Sequence, residues 1–410
     1  MTGERPMVPR VMLLVGGMPG GRGGGARFLE QLCLHYPRGK LCRFSPVRDP
    51  DAAFEGKWMG FPFAHGAMPR DKGVEGLGYR WAQLTTLPIY WYLRNVRVPR
   101  LVEQAVAFGE RECAELVWSV LNSATLIHMA RKVAFRLGVP FVTTVWDPPE
   151  RFFVDQAVDP LSRWLMLREF AAVLREATSV GVASEPMQVK YTSEYGIESV
   201  VMISGIDDAT RCAPAKSLEG DGHLTIGVAG NIYAMTEWRA LLAALDSVSW
   251  RLEGRDVVIR VLGEECCATA GGAARIEYLG WRSDTESVRI MSQVDVTYLP
   301  YWFDRRYEKS ASLCHPAKLA TYLAAGRPVL FHGPKGASPA RFLSRYPAGV
   351  CCHSLSAGDI VECLRGIAFD SDAYAAAVRA GQMALDAELN LNVFLERFAS
   401  LLGIDVKELS

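Results

Sequence analysis

The sequence predicts an α/β protein of two Rossmann-like, doubly wound domains facing across a cleft. Three observations predict it. Short apolar runs of strand length alternate with segments of helical period along most of the 410 residues, which implies parallel sheets covered on both faces. The alternation is broken once, at 205–222 (GIDDATRCAPAKSLEGDG), a stretch rich in Gly, Asp, Ala and Pro with no apolar period. The length exceeds the ~100–200 residues of one domain, so two are expected.

The first series opens with a buried strand at 10–15 (RVMLLV), a glycine-rich loop and a helix from about Ala26 to His35. Further strands are expected at 115–118, 140–145, 178–183 and 199–203, separated by helices near 98–110, 123–137, 160–177 and 184–195. Ser184 followed by Pro186 marks a helix start. Residues 51–80, with many Gly, Pro, Phe and His, fit neither pattern and read as an irregular excursion. The second series has strands expected at 223–229, 256–262, 276–279, 294–299, 328–331 and 349–352. Thr236 is expected to cap the helix TEWRALLAALDSV, and Ser283 with Glu286 forms a capping box for the next. A helix at 316–325 has Pro316 at its first position, Gly326 as its stop and Pro328 beyond. The tail 371–402 is helical again. The domains are therefore placed at 1–205 and 206–385, with 386–410 a last helix packing back on the first.

Lys+Arg 45 balances Asp+Glu 45, which argues against a dedicated nucleic-acid binder, since that needs a basic surface. No apolar run has the length of a signal peptide or a membrane span. None of the ten cysteines lies in a Cys-x-x-Cys pair, so they read as reduced thiols of a cytoplasmic protein.

Two loops could carry chemistry. After the first strand, 16–25 (GGMPGGRGGG) lets backbone approach a ligand and opens a helix, whose N-terminus favours an anion; Gly16 and Gly17 are its candidate contacts. Residues 21–26 also satisfy G-x-G-x-x-A. The loop is too long for a dinucleotide turn, however, and no acidic residue ends a following strand at the expected distance. The second loop lies within 294–330 (VDVTYLPYWFDRRYEKSASLCHPAKLATYLAAGRPVL). There a strand ends at Pro300 and a helix opens at Pro316, with Lys318 one turn in and Ser310, Ser312 and His315 as hydrogen-bond donors. An anion such as a phosphate suits that end. Glycine turns at Gly230-Asn231 and Gly280-Trp281-Arg282 should fall on the same rim. A third feature is 79–100 (YRWAQLTTLPIYWYLRNVRVPR), with four arginines, five aromatics and no acid. It suits a membrane interface or a lipid-linked acceptor, or else a core helix with solvated arginines.

HPAKLATYLAAGRPVL at 315–330, preceded by VDVTYLPY at 294–301 and EYLGWRSDTESV at 277–288, resembles the nucleotide-sugar domain of GT-B fold glycosyltransferases, nearest the family 4 type. Residues 183–207 and 139–149 (VPFVTTVWDPP) support the resemblance. It implies that Gly230 and Asn231 lie beside a donor diphosphate and that Trp281 and Arg282 border the nucleobase. Lys318, with His315 and Pro316, would neutralise the leaving group. Tyr301, Glu308, Ser312, Leu319 and Thr321 complete the implied donor site. Two positions that are acidic in the family are Leu313 and Thr321 here, with Glu308 the available substitute. The family's His-Asp after the PFV strand is Trp146-Asp147 here, so Asp147 is retained as a candidate base and the histidine is not.

The expected function is transfer of a sugar from a nucleotide-diphosphate sugar to a hydroxyl of a glycan, lipid-linked or small-molecule acceptor. The first domain would bind the acceptor, and Lys318 and Asp147 would be catalytic, Asp147 as the base if the reaction inverts and the departing phosphate taking the proton if it retains. No cofactor or metal is expected, because a helix end and basic side chains supply the charge. The expected location is the cytoplasm, at the inner face of the membrane if 79–100 makes contact there. The alternatives are an epimerase-like enzyme on the same fold and a non-catalytic nucleotide-sugar-binding subunit.

Overall fold

A computed structural model describes residues 8–16, 23–47, 60–67, 79–218, 222–266 and 275–409. The chain forms two compact units: Met1–Met202 with Leu395–Ser410, and Ile203–Phe394.

The first unit contains β1 (Val11–Leu14), α1 (Gly24–His35), β2 (Leu41–Val47), β3 (Phe63–Ala67), α2 (Tyr79–Tyr92), α3 (Val98–Arg111), β4 (Leu116–Val120) and α4 (Ala124–Leu137). It continues with β5 (Phe141–Val145), α5 (Pro149–Asp155), α6 (Pro160–Glu176), β6 (Ser179–Val182), α7 (Glu185–Tyr195) and β7 (Val200–Val201). The strands are all parallel, in the order β3-β2-β1-β4-β5-β6-β7. Helices cover both faces, so β1, β4 and β5 are buried at every residue.

Two strands depart from the sequence reading. β2 (LCRFSPV) carries a buried Arg43 and a proline, shows no alternation, and was not expected. Within 51–80, read as irregular, Phe63–Ala67 is instead an edge strand pairing with β2 up to Val47↔Ala67, while Pro46 lies beyond Phe44, the last β2 residue in register with β1. Residues 51–59 and 68–78 lie outside the described residues. The expected helix at 98–110 is the end of a longer helical run from Tyr79. A π-helical turn at Leu93–Arg97, in which the Val98 N–H reaches the Leu93 carbonyl, joins α2 to α3.

The second unit contains β8 (His223–Ala229), α8 (Met235–Ser247), β9 (Arg251–Leu252), β10 (Arg255–Leu262), β11 (Ile276–Tyr278), α9 (Asp284–Met291), β12 (Val296–Pro300), α10 (Glu308–Leu313) and α11 (Lys318–Ala324). It continues with β13 (Val329–His332), α12 (Ser338–Arg345), β14 (Gly349–Cys352), α13 (Ala357–Phe369), α14 (Ser371–Ala384) and the start of α15 (Leu391–Leu402). The parallel order is β11-β10-β8-β12-β13-β14, with β9 antiparallel on β10. Its core gathers Leu224, Ile226, Ile259, Tyr298 and Leu330 from the sheet with Trp238, Leu241 and Leu364 from the helices.

The capping box at Ser283 and Glu286 is present. Thr236 is not a cap: α8 begins one residue earlier, with Ala234 at the N-cap. Pro316 is not the first helical position either. It lies in an extended approach, its carbonyl accepts the Leu319 N–H at 3.0 Å in a tight entry turn, and α11 runs from Lys318. The helical tail is broken at the extended Asn390, which bridges to Ile206, and α15 passes into the first unit at Leu395 rather than at 386. There Phe398 packs against Tyr36 and Trp118 at 6.2 and 5.2 Å.

Gly326 stops α11 with φ +67, and a Cβ there would meet Pro214 Cα at 2.8 Å. The Cys212 and Ala215 N–H groups donate to the carbonyls of Ala324 and Gly326, so this part of 205–222 is tied down on the helix end rather than free. Gly326→Ala therefore combines left-handed strain with a backbone clash. It should destabilise the chain by about 2–4 kcal/mol, read as a lower urea midpoint. An unchanged midpoint would mean that 212–215 yields without cost.

Candidate active site

In each sheet the chain order reverses at one point, and α/β sheets bind ligands outside the strand ends there. In the second unit this point lies between β8 and β12, and Gly230, Asn231 and Lys318 gather beside it. Gly230 follows β8 with φ +72, a conformation that favours glycine. Its N–H donates to the Leu262 carbonyl at 2.6 Å, the last bond of the β8–β10 ladder. Gly263 is part of this turn and was missed: a Cβ on it would lie 2.9 Å from the Gly230 carbonyl oxygen.

Lys318 reaches this turn from α11. Its Nζ donates to the Asn231 carbonyl at 3.0 Å and stands 4.8 Å from the centroid of the Tyr233 ring. Its Cε and Nζ are within 4.0 Å of where a Gly230 Cβ would be. The helix is fixed there by Tyr322, one turn along the same face. The buried Tyr322 hydroxyl accepts the Ala229 N–H at 2.9 Å and donates to the Tyr298 carbonyl at 3.1 Å, pinning α11 to the last residue of β8 and to β12. Lys318 carries no carboxylate partner among the described residues, and desolvation pushes its ammonium down to about 7. Since α11 has only seven residues, the lysine rather than the helix end supplies most of the positive charge.

The aromatic run after β12 encloses the turn. Tyr233 and Trp302 pack at 4.6 Å, the Trp302 indole donates to the Tyr233 carbonyl, and Trp302 stacks on Tyr307 at 5.3 Å. Buried Glu237 accepts the Phe303 N–H at 2.7 Å, and burial raises its pKa. Tyr233 and Glu237 escaped the sequence reading because neither stands in a motif.

The other candidates are dispersed. Tyr301 is buried and its hydroxyl donates to the Cys314 carbonyl at 3.0 Å, so it shapes the approach to His315 and Pro316 from below. His315 packs edge-on against Phe342. Ser312 donates to the Lys309 carbonyl, Glu308 is the exposed first residue of α10, and Leu319 and Thr321 are buried in α11. Trp281 and Arg282 follow β11, two strands from β8. The Trp281 indole N–H is buried without a hydrogen-bond partner among the described residues, and exposed Arg282 donates to the Trp281 carbonyl at 2.9 Å.

In the first unit the reversal lies between β1 and β4. A Cβ on Gly16 would meet Asn122 Oδ1 at 3.5 Å across that point; Gly17 lies outside the described residues. Gly25 opens α1 against Trp146, whose ring would stand 2.5 Å from a Cβ. Trp146, at the position where the resemblance implies histidine, thus fills the space under α1 and also meets Phe28 at 5.4 Å. Asp147 follows β5, with its carboxylate 3.3 Å from Arg151 and 44% exposed.

The chain is similar over nearly its full length to several solved structures. HepE from Anabaena, in complex with UDP and glucose, is 14% identical, with 96% of this chain and 99% of that one covered and a TM-score of 0.67. Sucrose-phosphate synthase from Thermosynechococcus elongatus is 13% identical, covering 95% and 97%, at 0.64. The lipopolysaccharide outer core galactosyltransferase WaaB in its apo form is 12% identical, covering 95% and 99%, at 0.60. No protein-family model and no curated protein matches the chain. The chain has the GT-B fold.

Lys318 titrates at about 7 in the folded chain against the ordinary 10.5, so between those values the unfolded chain holds a proton that the folded chain has released. Its stability penalty is full below the lower value and shrinks as pH rises through the window. Lys318→Met should raise the urea midpoint at about pH 6, with the gain narrowing by about pH 9. A gain independent of pH would contradict the desolvated lysine.

Proposed function

We propose that the chain is a glycosyltransferase whose second unit binds the diphosphate of a nucleotide-diphosphate sugar at the Gly230–Asn231 turn, with Lys318 as the cation that receives it. The observation that carries this reading is the placement of Lys318 Nζ, 3.0 Å from the Asn231 carbonyl and beside a left-handed glycine, at the point where the strand order reverses. UDP in the HepE structure supports the donor class.

Breaking a glycosidic bond to a nucleoside diphosphate develops negative charge on the leaving oxygen. A positioned cation in a water-poor site lowers that barrier more than one in water. Lys318 is held for that purpose before any ligand arrives, so little reorganisation is needed. We assign Trp281 and Arg282 to the base, with the indole N–H as a donor. No metal is required in this scheme, since Lys318 itself meets the developing charge. The acceptor is a hydroxyl, and Asp147, oriented by Arg151, is its proposed base. A second reading, binding without turnover, is favoured by Leu313 and Thr321, both buried and non-acidic where the resemblance implies carboxylates. Labelled nucleotide sugars separate the readings: transfer to an acceptor supports the first and binding alone the second, while an isomerised donor points to the epimerase-like alternative.

An anion beside Lys318 should restore its proton. At about pH 8, UDP binding should take up close to one proton, read by titration calorimetry in buffers of different ionisation enthalpy, and Lys318→Met should abolish the uptake. Binding with no proton uptake would detach the diphosphate from this lysine. Asp147→Asn should lower kcat by about 10²–10⁴-fold with donor KM little changed; unimpaired turnover would remove Asp147 as the base.

A further inference from the structure

α2 is apolar on both sides. Its inner stripe, Ala82, Thr86 and Tyr90, is buried against the segment that leads into α6. Thr86 Oγ1 accepts the Asp159 N–H at 2.9 Å, the Tyr90 hydroxyl donates to Gln156 at 2.7 Å, and Gln83 donates to the Val158 carbonyl at 3.1 Å. Those bonds fix which face turns outward. The outward stripe is Trp81, Leu84, Leu87 and Trp91, with Trp81 68%, Leu84 67% and Trp91 63% exposed. At helical rise it runs ~15 Å. Arg163 of α6 donates to the Tyr79 hydroxyl at 2.7 Å, so the two helices meet at their starts. α6 likewise exposes Leu161 and Trp164, with Arg168 4.7 Å from the Trp164 ring.

The charge along residues 79–100 has one sign. Residues 79–100 contain Arg80, Arg94, Arg97 and Arg100 and no acid. On α6, Glu169 and Glu176 are paired with Arg131, and Asp159 is a buried N-cap. No helix among the described residues is long and apolar enough to cross a membrane. Exposed tryptophans and leucines lined up along a helix, bordered by arginines, match an interface whose outer layer is anionic and whose inner layer is apolar.

We infer that α2, with the start of α6, docks the first unit onto a membrane containing anionic phospholipid, the helix lying in the plane of the surface with Trp81, Leu84, Leu87 and Trp91 inserted. The inference is independent of the donor site. It is tested by co-sedimenting the full chain with vesicles of phosphatidylcholine alone and of equimolar phosphatidylcholine and phosphatidylglycerol. The chain should bind the mixed vesicles and not the neutral ones, and salt should weaken the binding. Trp81→Ala with Trp91→Ala should reduce binding at least about tenfold. Arg80→Gln and Arg94→Gln should each reduce it about fivefold. All variants should keep the wild-type thermal midpoint and UDP affinity, since the changed side chains stand in solvent. Absence of the wild-type chain from the mixed-vesicle pellet would overturn the inference, as would binding unaffected by the tryptophan pair. A dimer in solution that the tryptophan pair converts to monomer would overturn it too, since a second copy would then cover the stripe.

Discussion

The geometry of the second unit depends on one hydroxyl. Tyr322 sits at the centre of α11, and its oxygen is shared between the N–H of Ala229 and the carbonyl of Tyr298. Those two backbone groups belong to the strands on either side of the point where the sheet order reverses. Both would otherwise be buried without partners, which is costly, so the helix is held in one place. Lys318, four residues earlier on the same face, is thereby held over the turn after β8. A half-buried lysine so placed has its ammonium pushed down by desolvation, with no carboxylate beside it among the described residues. An anion seated there, as proposed, would offset that desolvation.

The rest of the site follows from what this arrangement excludes. The turn at Gly230 must be left-handed, and Gly263 must be bare because the Gly230 carbonyl presses on it. Neither contact involves a ligand; together they bring backbone, rather than side chains, to the position facing the lysine. The aromatic run after β12 supplies a rigid wall, since Trp302 is locked by Tyr233 on one side and Tyr307 on the other. In the first unit the corresponding opening is narrower in chemistry. Trp146 is committed to packing under α1, which leaves Asp147 as the polar group at the end of β5.

Much of this was legible in the sequence where signals of different origin agreed. The strand at 223–229 appears with the expected bounds because Leu224, Ile226 and Val228 recur at the period of a strand. Gly326 and Pro328 marked the end of α11 correctly, and the lysine near its start followed from that end. Its beginning was misread because proline can precede a helix by several residues as well as open it. β2 was hidden by Arg43 and Pro46, polar and strand-breaking on paper but buried and paired in the sheet. Residues 212–215 show no periodicity because they are held by backbone bonds to the end of α11, an interaction that leaves no mark on side-chain pattern. The roles of Tyr322, Gly263 and Tyr233 are tertiary in the same sense. Each depends on which strands are neighbours, and that is fixed only by the fold.

The most direct test is a crystal structure of the chain with UDP. The account places the β-phosphate within hydrogen-bond distance, about 3 Å, of Lys318 Nζ, against the backbone of Gly230 and Asn231, with Tyr322 still bonded to Ala229 and Tyr298. UDP seated elsewhere, with Nζ still on the Asn231 carbonyl, would contradict it.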